Sequence, residues 1–181
     1  MGKTKGTSLI RAVKTLRANK DEARKVLPER LHGYLEERIL VSSWYPEEDA
    51  WEILRAVAKI MPDTGMDSYE FMGRILAHDD LRGIYASLLR EGDPAATLRR
   101  TAVTWGHYHD TGKETVVALG DDHVVLEITG YDHPSRESCS TVKGWIHELV
   151  TMAGGKDIRV VHEKCVLDGA SACRFETTWT R

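Results

Sequence analysis

Only three of the 181 residues are cysteine and only two are phenylalanine. An odd cysteine count with no secretory leader argues against a disulfide scaffold. No run approaches the roughly 18 apolar residues of a membrane span, and the start MGKTKGTSLIRAVK lacks the apolar core of a signal peptide. A cytoplasmic, reducing setting is therefore expected. P-loop, nucleophile elbow, paired-glycine dinucleotide fingerprint and HExxH are all missing. Nothing here assembles a catalytic constellation, and a non-enzymatic protein is expected. With 41% apolar and 29% charged residues and a net charge of −3, the composition is that of one ordinary globular domain.

What the chain does have is concentrated near its end. All three cysteines, Cys139, Cys165 and Cys173, fall in one stretch, and His162 stands three residues before Cys165. The pattern is C-x22-H-x2-C-x7-C. Three thiols and one imidazole are the ligand set of a closed Cys3His zinc site, which leaves no open position for chemistry. Asp168-Gly169 is a turn signal between two β-type runs, so a hairpin would bring His162 and Cys165 back to Cys173. Cys139 would come from the start of the preceding helix. Glu163 is a rival fourth ligand. The plainer alternative is three small buried apolar side chains.

This C-terminal pattern, a long helix beginning near a cysteine and then a hairpin ending C-x7-C-[RK]-F, resembles the vinyl-4-reductase domain. That domain shares a wider fold with heme-based nitric-oxide sensors and the vesicle-tethering TRAPP subunits. The nearest in pattern are the phenol-sensing input domains of bacterial activators. The resemblance implies a structural zinc on Cys139, Cys165 and Cys173, with His162 in place of an acidic ligand. It also implies a pocket for a small apolar or aromatic ligand, a homodimer, and signalling through a protein partner. A TRAPP-like adaptor without a small ligand is the alternative. The heme sensors use a proximal histidine, but no heme-contacting signature surrounds any histidine here, so heme is not expected.

Taken in order, residues 1–30 carry nine Lys/Arg against Asp21, Glu22 and Glu29. Leu9, Ile10, Val13 and Leu16 at helical spacing make a basic amphipathic helix, read as an arm over 1–27. Such a helix more often packs its stripe than contacts nucleic acid or a membrane. A single domain is expected over 28–181. Helices are expected to Trp105, with Pro46 in a first turn and acids after it. After Gly112 the period changes from 3.6 to 2. KETVVALG and DDHVVLEITGY read as a hairpin, 135–153 as a long helix, and DIRVVHEKCVL with ACRFETTWT as a second hairpin. The expected class is α+β: N-terminal helices, then an antiparallel four-stranded sheet with one long helix between two hairpins.

The expected ligand pocket draws on Trp105, His107, Tyr108 and Trp145. His107 and His109 would share a face only in a strand, where they could pair on a metal.

Overall fold

A computed structural model describes residues 2–181, and the chain divides into two compact units. The first comprises residues 1–68 with 106–111, and the second residues 69–105 with 112–181. The division falls at Ser68, and the basic stretch lies within the first unit.

In the first unit, β1 (Lys3–Lys5) pairs antiparallel with β2 (Trp44–Pro46). Helices α1 (Gly6–Ala18), α2 (Lys20–Val26) and α3 (Glu47–Ile60) complete it. Leu9, Val13 and Leu16 of α1 are buried, as is the face of α3 that carries Ile53 and Val57. The expected stripe thus packs its apolar side inward, which is what offsets the cost of ordering the chain. Glu47 follows Pro46 at the start of α3 and is almost fully buried, its carboxylate meeting His109 Nδ1 at 3.0 Å.

The second unit holds α4 (Ser68–Arg82), α5 (Pro94–Thr101) and a four-stranded antiparallel sheet, and the short α6 (Trp105–Tyr108) begins at its last residue before the chain enters the first unit. The strands are β3 (Lys113–Leu119), β4 (His123–Thr129), β5 (Lys156–Lys164) and β6 (Cys173–Thr180), in the order β3-β4-β6-β5. Two hairpins therefore join through a β4–β6 pairing. Alternation sets the core face: Val124, Leu126 and Ile128 of β4 lie with Cys173, Phe175, Thr177 and Trp179 of β6, all buried. The long helix α7 (Arg136–Met152) covers that face with Ile146, Leu149 and Val150.

Two glycines let α4 and α7 meet backbone to backbone. A Cβ on Gly73 would stand 2.0 Å from the Thr141 carbonyl oxygen, and one on Gly144 1.9 Å from that of Glu70. Among the described residues no helix is long and apolar enough to cross a membrane.

Candidate metal-thiolate site

The site begins with the cap of α7. Ser135 and Ser138 exchange side-chain to backbone hydrogen bonds, each 3.0 Å, in a capping box. This fixes the first turn and points Cys139, one residue on, toward the sheet. Cys165 lies just beyond β5, where a 3-10 turn over Val166–Asp168 reverses the chain and Gly169 takes the left-handed conformation at φ +86°. Cys173 opens β6. Arg136 and Asp168 form a two-pronged ion pair that ties the turn to the start of α7.

The three sulfurs form a triangle with every edge 4.0 Å, and no disulfide joins them. His162, on β5 opposite Phe175, adds an imidazole nitrogen, and all four donor atoms lie within 4.8 Å of one another. Thiolates bound at ~2.3 Å around a tetrahedral ion stand roughly 3.8 Å apart, so the triangle is nearly of ligating size. Burial and the neighbouring thiols push the Cys139 thiol well up, and burial raises Cys173 as well. Burial, then the Arg136 charge, lowers His162, which favours the neutral imidazole a metal requires. His162 Nε2 is buried without a hydrogen-bond partner. Glu163, the rival ligand, turns away and binds Arg174 at 3.0 Å.

Beside the set lies a cavity of about 160 Å³ lined by Trp105, Ile128, Tyr131, Val142, Phe175 and, on one wall, Cys139 and Cys173. Of the expected pocket residues only Trp105 lines it. Trp145 packs on the core cluster elsewhere. His107 and Tyr108 belong to the first unit, where His107 is exposed and Tyr108 buried. His107 is exposed in the short helix α6, while His109 lies beyond it, half-buried with its Nδ1 3.0 Å from Glu47, so the two do not share a strand face.

One group was not foreseen. Glu114 on β3 stands opposite Ile128, hence on the core side of the sheet, and its Oε1 is closed off without a partner. Burial pushes this carboxyl up to about 8. A single acid in a β-run reads as a solvent-facing alternation, so the sequence carried no signal for it.

No family model and no curated protein matches the chain. Solved structures do. An H-NOX protein from S. oneidensis in the Fe(II)NO state superposes with a TM-score of 0.68 at 14% identity, covering 98% of this chain and 99% of that one. An unliganded Fe(II) H-NOX protein from K. algicida gives a TM-score of 0.62 at 10% identity over 98% and 97%. An oxygen-binding H-NOX domain related to soluble guanylate cyclases gives 0.66 at 15% over 98% and 95%. The chain has the H-NOX fold.

That result corrects the vinyl-4-reductase resemblance, which was specific over residues 135–179, loose over 28–134 and absent before that, whereas the superposition spans nearly the whole chain. The phenol-sensing function, the adaptor alternative and the structural zinc taken over from those relatives fall with it. Among those neighbours are an Fe(II)NO complex, an oxygen complex and an unliganded Fe(II) protein.

The lining residues test whether a heme suits this site. A ligand of drug size already takes a pocket of roughly 300 Å³ or more, and the cavity has about half that volume. An axial imidazole is the common iron ligand, yet no histidine lines the cavity. Its two thiols face a third and His162 instead. The residues at this site do not fit a heme.

Proposed function

We propose that this chain is a signal-input domain on the H-NOX fold. Its input is a small diatomic molecule, received at the Cys139/His162/Cys165/Cys173 set, which holds a soft metal ion. Its output is a change passed to a protein partner in a reducing, cytoplasmic setting. The observation that carries the reading is the end-to-end correspondence with proteins solved as an NO complex and as an oxygen complex. The 4.0 Å sulfur triangle supports placing the response at the thiols, and unbridged thiols this close suit a reducing compartment.

The chain's own residues supply the transmission. Cys139 sits in the first turn of α7, the Arg136–Asp168 pair couples that turn to the β5–β6 hairpin, and Gly144 seats α7 directly on α4. A change in how the four donors are held therefore acts on the helix that covers the sheet.

The test is anaerobic addition of nitric oxide to protein loaded with cobalt(II), followed by thiolate-to-cobalt absorption. We expect the bands of a tetrahedral thiolate site on loading and their loss or shift with nitric oxide. A chain that takes up hemin stoichiometrically and responds only through it would overturn the reading. Native mass spectrometry of the same sample reports whether the chain pairs with itself.

A further inference from the structure

We infer that the β3 edge of the sheet is where two copies of this chain pair, strand against strand and antiparallel, around a two-fold axis through Val117. The inference stands apart from the function proposed above and does not depend on the thiolate set.

The order β3-β4-β6-β5 leaves two edges, and the sequence treats them differently. Strand β5 carries Lys156, Asp157, Arg159, Glu163 and Lys164, charges of the kind that keep an edge from pairing with another chain. Strand β3 has charge only at its start, where Lys113 is exposed and Glu114 turns to the core side. Residues 115–119, TVVAL, hold none. Among the described residues no backbone hydrogen bond from outside the sheet reaches β3, so no other segment's backbone occupies its outward side.

Apolar surface gathers on that edge. Val117 and Leu119 are each 45% exposed, and Val103, in the 3-10 turn Ala102–Thr104 that packs on β3, is 68% exposed. The register shifts between Val116 and Ala118, which leaves Val117 without a partner on β4. Bulges often blunt an edge, but this one presents a valine rather than a charge.

The charges around the strand select the occupant. Lys113 is exposed at one end, and the nearly fully exposed Asp121 lies past the other, with Arg181 no nearer than 4.0 Å. Both stand four residues from Val117. An antiparallel pair with its axis there sets Lys113 of each copy opposite Asp121 of the other. Thr115 then meets Leu119, and valine meets valine at the axis. The complement of this edge is the same edge, which is what a two-fold contact requires. Such a strand pair is smaller than the roughly 1,200 Å² of a standard interface, so the dimer is weak and concentration-dependent.

Sedimentation velocity of the full chain between about 1 µM and about 1 mM is the test, with circular dichroism to check that each variant folds. The wild type should pass from monomer to dimer over that range. Val117→Lys puts like charges on the axis and should weaken dimerisation about tenfold or more. Lys113→Asp and Asp121→Lys should each weaken it severalfold, and the double variant should restore it. Leu40→Lys, at a residue 49% exposed in the first unit, should change nothing. A wild type that stays monomeric, or a dimer that ignores Val117→Lys or is lost with Leu40→Lys, overturns the inference. A double variant that fails to restore the dimer overturns the axis through Val117.

Discussion

The imidazole of His162 lies flat against the ring of Phe175, with centroids 4.4 Å apart and planes within 8° of parallel. The pairing follows from register, since His162 on β5 and Phe175 on β6 are direct cross-strand partners. Phe175 is fully buried and cannot swing, so it fixes the plane in which the ring presents its nitrogen to the three sulfurs. Phe175 also lines the cavity, which makes it the shared wall of both features.

Phe175→Leu should therefore loosen the metal set without deleting a ligand. Groups that orient a ligating histidine typically contribute about 10–100-fold in metal affinity, and a loss of that size is expected in competition with a chromophoric chelator. An unchanged affinity would show that the stacking is packing only.

The choice of fourth ligand is open to a paired substitution. His162→Ala should lower cobalt(II) affinity strongly and change its absorption, whereas Glu163→Gln should leave both intact because Glu163 is engaged with Arg174. The opposite ranking would assign the site to the carboxylate.

Gly144→Ala tests the crossing of α4 and α7. The added methyl meets the Glu70 carbonyl, which is backbone and cannot rotate away. Overpacking usually costs about 1–3 kcal/mol, and a backbone clash belongs at the upper end. The check is a shift in denaturant midpoint, and a neutral result would mean that the helices separate freely.

How much of this was legible in the sequence differs by element. The hairpins and α7 were readable because their signals are local: alternation, Gly169 in the turn, Ser135 at the cap. The convergence of Cys139, His162, Cys165 and Cys173 followed from the same local features. The β1–β2 ribbon was not legible, since KTK carries no apolar alternation and its partner is some 40 residues away. Nor was the fate of His109, which bridges to Thr4 and binds Glu47 through contacts that only tertiary structure makes. The family resemblance went astray for a related reason. A cysteine pattern reports one hairpin and one helix end, while the H-NOX fold is a property of nearly the whole chain.

Glu114 should give the chain a pH-dependent stability. Its folded value, about 8, lies above the ordinary 4.5. Below the ordinary value the acid is neutral in both states and folding is unpenalised. As pH rises the unfolded chain ionises first, so stability falls until pH passes the folded value. By pH 7 the loss is on the order of 3 kcal/mol. Glu114→Gln should raise stability at pH 7 and flatten the decline between pH 5 and 8. A variant with the parent's slope would place the titration elsewhere.

The most direct measurement is the mass and absorption spectrum of the native protein purified without chelator, beside Cys165→Ser prepared in the same way. We predict one metal ion per chain bound through the thiols, its loss in the variant, and no stoichiometric heme band after incubation with hemin. A metal-free chain whose three cysteines remain neutral thiols, or one that takes up a full equivalent of heme, would contradict this.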